Sequence, residues 1–152
     1  MNTLGIRTKP NEATIAVFDS TGNRLVNVEA IKIPKALSTP EALKYLRNTL
    51  LDVIREFEIE QAGIRITESN SQHLNITRIE AEGVIQEAFA SSSLKAYFRG
   101  QISNISARLG IERTEFKPLV DGSESFTPIE NWNEFSPNER EAILTAIAAT
   151  ND

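Results

Sequence analysis

Along this chain the spacing of apolar positions changes period several times, and each change marks an element. Residues 3–8 and 12–19 are short apolar runs, split by the turn composition Lys9-Pro10-Asn11. Ile15 and Val17 alternate with Thr14, Ala16 and Phe18, as on a pleated strand. Ser20-Thr21-Gly22-Asn23 predicts a second tight turn. Leu25 to Ile33 then reads as a third strand, with Val26, Val28 and Ala30 on one face. Three strands joined by short turns predict an antiparallel meander.

After Pro34 the period becomes helical. Ser38-Thr39-Pro40-Glu41 is a helix start: a hydroxyl cap, a first-turn proline, and a glutamate three residues after the cap. Leu43, Leu46, Leu50, Val53, Ile54 and Phe57 form one apolar stripe, with Lys44, Arg47, Asp52 and Arg55 off it. Ile64 to Thr67 predicts a fourth strand, and a strand–helix–strand crossing of this length implies parallel pairing. Glu68 to Ser71 is a polar loop, and Asn75 caps a second helix running from Ile76 to about Ala90. Gly83, in the middle of that helix, suggests a close approach of helix to sheet. Leu94 to Phe98 predicts a fifth strand, and Ile102 to Leu109 a short helix stopped by Gly110. Residues 112–135, with Pro118, Gly122 and Pro128, read as an irregular acidic loop carrying Trp132. Trp132, with Phe126 and Phe135, is expected to cap the core or fill an interface. Ser136-Pro137-Asn138-Glu139 repeats the helix-start signal, and the last helix runs over about 137–149. The expected fold class is α/β, one domain over 1–152 with a five-stranded mixed sheet. Its antiparallel meander is joined by two parallel strands and flanked by helices.

Composition narrows the chemistry. The chain has no cysteine and a single histidine, His73, so thiolate sites and paired-histidine sites are excluded. No P-loop or nucleophile-elbow pattern is present. There is no long apolar run and no basic-then-apolar start, so the expected location is the cytoplasm. Net charge is −5, unevenly placed: residues 112–152 carry −6 and residues 1–111 carry +1. Sequence-independent binding to nucleic acid usually shows a basic surplus, which this chain lacks overall. A local patch on the first 111 residues remains open, with Lys95, Arg99 and Arg108 as members near the fifth strand.

The order of elements, together with four local stretches, resembles the ribonuclease H-like superfamily in its RuvC-type branch. In RuvC-like resolvases the first strand reads roughly ILGIDPG, and Leu4-Gly5-Ile6-Arg7 is similar, with Arg7 at the aspartate position. Ile64-Arg65-Ile66-Thr67-Glu68 resembles the fourth strand, which ends in a glutamate. Glu80-Ala81-Glu82-Gly83-Val84 resembles a glutamine-alanine-arginine-glycine-valine stretch of the next helix. Asn138 and Glu141 fall at the positions of the final acidic pair. The run from Gly5 to Ile15 also resembles the start of a family of short uncharacterised bacterial proteins, which read G-I-E-L-K-G-N-E-A-I-I.

The resemblance implies chemistry in which carboxylates hold two Mg²⁺ ions at the neighbouring ends of the first and fourth strands. Glu68 and Glu141 are then the candidate catalytic residues, and Arg7, Lys9 and Asn138 the candidate binding residues. Arg7 replaces a bridging ligand with a positive charge, so a pair between Arg7 and Glu68 is the expected occupant of that corner. The implied function is a non-catalytic module acting through protein or nucleic-acid binding, without cofactor or metal, with an unknown protein partner or a homodimer. The alternative is a Mg²⁺-dependent structure-selective nuclease using Glu68 and Glu141, with Asp19 or Glu12 as a substitute ligand.

Overall fold

The computed structural model describes residues 1–151. Its sheet is built from β1 (Asn2–Lys9), β2 (Glu12–Asp19), β3 (Arg24–Lys32), β4 (Ile59–Arg65) and β5 (Ala96–Gly100). The spatial order is β3-β2-β1-β4-β5, with β1–β2 and β2–β3 antiparallel and β1–β4 and β4–β5 parallel. The helices are α1 (Thr39–Glu56), α2 (Ile76–Ser91), α3 (Ile102–Leu109), α4 (Arg113–Asp121) and α5 (Pro137–Ala148). Among the described residues no helix is long and apolar enough to cross a membrane.

Strict alternation on the central strands sends apolar side chains to both faces. Leu4, Ile6, Ile15 and Val17 pack with Leu46, Leu50, Ile85 and Phe89 of α1 and α2. Ala16 and Phe18 join Ile105, Phe116, Ile143 and Ala146 on the other face, under α3, α4 and α5. β1 is therefore buried on both sides along most of its length. β3, at the sheet edge, is only partly covered. Its Val26 and Val28 do not share a face as expected: Val26 packs on the first cluster and Val28 on the second. A register shift between Val17 and Phe18 inserts the extra residue that separates them.

Three further expectations change. β4 begins at Ile59 and stops at Arg65, so Thr67 and Glu68 lie beyond the strand. The 112–135 stretch is not one loop. It holds α4, stopped by Gly122 with φ at +87°, and a 3-10 turn over Trp132–Glu134. Trp132 is buried there, its indole Nε1 donating to the Leu119 carbonyl at 2.8 Å and its ring 5.6 Å from that of Phe126. Finally, a Cβ placed on Gly83 would meet nothing within 4 Å. The close approach is made by Gly5 instead, where a Cβ would sit 2.1 Å from the Ala142 carbonyl oxygen and 2.2 Å from the Ala146 nitrogen. α5 thus lies directly on the middle of β1, held also by Thr3 Oγ1 donating to the Ala146 carbonyl at 2.6 Å.

Candidate functional site

The C-terminal ends of β1, β4 and β5 share one edge of the sheet, and the chain leaves β4 and β5 there to start α2 and α3. Such an edge is where α/β sheets commonly place their sites. α5 enters at the same edge. Pro137 occupies its first turn, and its cap is reciprocal: Ser136 N donates to Glu139 Oε1 at 2.8 Å and Glu139 N to Ser136 Oγ at 3.2 Å. That cap fixes the first turn, and Glu141 one turn further on faces the sheet.

Arg7 and Arg65 are register partners on adjacent parallel strands. Both point to the α5 face, on the side opposite Ile6 and Ile64, which belong to the first core cluster. Two like charges side by side repel, and Glu141 resolves the repulsion by taking one on each oxygen. Arg7 Nε donates to Glu141 Oε2 at 2.9 Å, and Arg65 Nε donates to Glu141 Oε1 at 3.1 Å. Arg65 Nη1 also reaches Glu68 Oε2 at 3.0 Å, and Arg7 Nη1 donates to the Arg65 carbonyl at 3.3 Å. The side chains of Arg7, Arg65 and Glu141 are only 11%, 5% and 10% exposed. Burial pushes the Arg65 guanidinium below its ordinary pKa, Arg7 adds to that, and Glu141 and Glu68 oppose it.

The expected pair between Arg7 and Glu68 is therefore corrected. Arg7 is held by Glu141, and Arg65 is the residue that reaches both carboxylates. Glu68 is committed elsewhere as well, accepting the first backbone N–H of α3 from Ile102 at 2.9 Å and lying 3.8 Å from Arg113 Nη2. Of the other candidates, Lys9 lies 4.0 Å from Glu12 across the β1–β2 turn. Asn138 stands one turn before Glu141, and its side-chain Nδ2 is buried with no hydrogen-bond partner among the described residues. Asp19 pairs across from Asn2 whereas Arg7 pairs across from Thr14. Five strand residues, roughly 17 Å, thus separate Asp19 from this corner. His73 is exposed. The basic patch near β5 is partly engaged: Lys95 pairs with Glu60 at 2.7 Å, and Arg108 stacks 3.9 Å over the Phe98 ring.

Three residues of the corner went unnoticed in the sequence: Arg65, Arg78 and Glu82. Arg65 carried the same signal as Arg7, a charge at the end of a buried strand, here between Ile64 and Ile66. Glu82, on the inner face of α2, is 5% exposed. Both of its oxygens accept from the Thr67 amide at 3.1 Å, and Thr67 Oγ1 adds a bond of 2.7 Å. It pins the chain leaving β4 onto α2. Arg78, one turn earlier, has a buried Nε with no partner among the described residues. Its guanidinium pKa is lowered by burial first and by Arg7 second. Ion pairs at this edge join Arg7, Arg65 and Arg113 to Glu68 and Glu141.

These residues do not fit a pair of magnesium ions. Mg²⁺ asks for free carboxylate oxygens in octahedral array. Here both oxygens of Glu141 already accept from guanidinium groups. Among the described residues, no group of three acidic or histidine side chains could hold a metal ion.

The fold is similar to that of RuvC from Thermus thermophilus, solved in complex with a Holliday junction substrate. The TM-score is 0.71 at 16% identity, covering 97% of this chain and 92% of that one. A second structure of Thermus thermophilus RuvC gives a TM-score of 0.68 at 16% identity, with the same coverage of 97% and 92%. At that identity the likeness establishes the fold: ribonuclease H-like, of the RuvC type. No family model matches the sequence, and no curated protein matches it. The resemblance to short bacterial proteins, drawn over about residues 3–111, gains no support from these comparisons.

Proposed function

We propose that this chain is a RuvC-type module that does not cleave nucleic acid and acts by binding. The observation that carries the reading is Glu141 held between Arg7 and Arg65, each oxygen taken by a guanidinium. A general two-metal mechanism needs those oxygens for metal, water and leaving group. Here the cations at the strand ends are side chains, fixed in place, with no coordination position to offer a water.

Incubation of the purified chain with branched DNA, single-stranded DNA and RNA in Mg²⁺ or Mn²⁺ tests this directly. No cleavage is expected, and metal-dependent cleavage lost in Glu141→Gln would establish the nuclease alternative. Arg7→Asp sharpens the test. Arg65 still holds Glu141 and Glu68 in that variant, so Arg7→Asp alone is expected to gain no Mg²⁺ affinity by calorimetry. Arg7→Asp combined with Arg65→Ala is the variant in which Glu141 loses both guanidinium partners and gains a second carboxylate beside it.

Binding to a second copy of the chain belongs to the same reading. Leu74, Ile76 and Ile79 are 60%, 74% and 39% exposed at the start of α2. Gly83, on the same side of the helix one turn beyond Ile79, leaves open space there. A small residue inside an apolar strip lets two helices cross closely, and a two-fold axis would pair the strip with itself. Sedimentation velocity checks this: a dimer that dissociates in Ile76→Asp is expected, and a monomer at all concentrations removes the self-association.

A further inference from the structure

We propose that the cavity beside the Arg65–Glu141 pair binds a small carboxylate with an apolar body. Such a site exists only with Glu141 turned to guanidinium groups rather than to metal, so it rests on the reading above and names a ligand class for the same edge of the sheet.

Residues of α3, α4 and the first turns of α5 line a cavity of about 320 Å³ at the end of β4. That is the lower end of the range for small-molecule sites, roughly 300–1,000 Å³. Its walls include Ile102, Phe116, Val120 and Pro137, whose side chains carry no hydrogen-bonding group. Its buried end is the ion pair itself: Arg65 and Glu141 both line the space, with side chains 5% and 10% exposed. Arg65 is held in place there. Its Nε donates to Glu141 and its Nη1 to the Ile66 carbonyl, and its guanidinium carbon lies 5.9 Å from the centroid of the Phe116 ring. Its Nη2 donates to nothing among the described residues, yet that atom is not sealed from solvent. A fixed, buried cation therefore keeps an open N–H edge beside an apolar space.

At the buried end the free polar group is a donor, and this selects the polar end of the ligand. Both Glu141 oxygens already accept from guanidinium groups. Lys117 and Asp121 are exposed at the mouth. One Asp121 oxygen is taken by the amide and hydroxyl of Ser123. Among the described residues the lysines in ion pairs are Lys9 and Lys95, so the Lys117 charge is uncommitted. Ile102 and Pro137 are the first residues of α3 and α5, so two helix N-termini add positive potential at the same place. A carboxylate accepts charge-assisted hydrogen bonds and donates none, which matches Arg65 Nη2 and Lys117. Asp121 opposes any anion, and its removal is part of the test. The apolar walls ask for hydrocarbon behind the carboxylate, so a ring or branched chain fits and a small, fully hydrated anion does not.

The full chain is titrated in EDTA with sodium benzoate and, separately, with benzyl alcohol and benzylamine, which keep the ring and replace the carboxylate by a neutral or a cationic group. Methyl resonances of Ile102 and Val120 and the side-chain N–H resonances of Arg65 report binding. Benzoate is expected to shift both sets saturably and to bind about tenfold more tightly than either of the others, the difference a charge-assisted hydrogen bond makes. Lys117→Gln should weaken benzoate severalfold and leave benzyl alcohol unchanged, whereas Asp121→Asn should tighten benzoate. Val120→Phe, which fills the space, should abolish binding while the chain still melts cooperatively. Equal affinity for benzoate and benzyl alcohol, or tighter binding of benzylamine, overturns the proposal. So does the absence of any saturable shift, or a benzoate affinity unchanged in both Lys117→Gln and Val120→Phe. Each of these results leaves the non-cleaving reading intact. Benzoate shifts that appear only when Mg²⁺ replaces EDTA, in a sample that also cleaves a nucleic-acid strand, overturn both.

Discussion

Glu141→Gln is isosteric, keeps one acceptor oxygen and removes one charge. In the native chain that charge sits between two guanidinium groups at 2.9 and 3.1 Å. The variant leaves Arg7 and Arg65 facing each other on adjacent strands, with Glu68 reaching only Arg65. Removing one partner of a buried ion pair costs about 3–5 kcal/mol. The side chains are close to the surface, with Glu141 10% exposed, so the lower end, about 3 kcal/mol, is expected. For a domain of this size that is a fall in melting temperature of roughly 6–12 °C. Arg7→Met should cost less, about 1–2 kcal/mol, because Glu141 keeps Arg65 and no buried charge is left unpaired. Urea unfolding of the two variants gives both numbers. If Glu141→Gln costs less than about 1 kcal/mol, or no more than Arg7→Met, the carboxylate does not neutralise the two arginines and the reasoning fails.

The two contrasting glycines make a paired test. Gly5→Ala is expected to abolish folding or shift α5, because the added carbon meets backbone at 2.1 and 2.2 Å. Gly83→Ala meets nothing and should stabilise by about 1 kcal/mol; thermal melts that rank them otherwise would misplace α5. Arg140, 7% exposed, donates to the carbonyls of Trp132, Val120 and Asn133 at 3.1, 2.9 and 3.2 Å. Arg140→Met should cost about 2–4 kcal/mol and red-shift the fluorescence of the single tryptophan; an unmoved spectrum counts against that role. The carboxyls of Glu41, Glu60, Glu87 and Asp121 are held below their ordinary pKa by bonds to Ser38, Lys95, Arg47 and Ser123. Their stabilising contribution is complete above the unfolded-state pKa and lost as pH falls through the lowered folded values. The melting temperature should therefore be flat from neutral to about pH 5 and drop below about pH 4; a rise on acidification would contradict it.

The local code determined most of the elements. The period of two in β1 and β2, the helix-start signals at Ser38 and Ser136, and the glycine stop at Gly110 each depend on neighbours a few residues away. They were therefore readable from sequence, and with them the mixed sheet. α4 was not readable, because Pro118 and Gly122 spoke for a loop. Its helix is held by Arg140 and Trp132, which lie well beyond it in the chain. Arg7 was visible as a charge ending a buried strand, but its partner was not. Glu68 and Glu141 are both glutamates near candidate ends, and choosing between them needs the direction in which each side chain points. β4 stops at Arg65, which turns Glu68 toward the start of α3, and the close seat of α5 on Gly5 brings Glu141 down onto both arginines. Helix and strand propensities act over a turn or two, whereas ion pairs between residues 7, 65 and 141 are set by how layers stack.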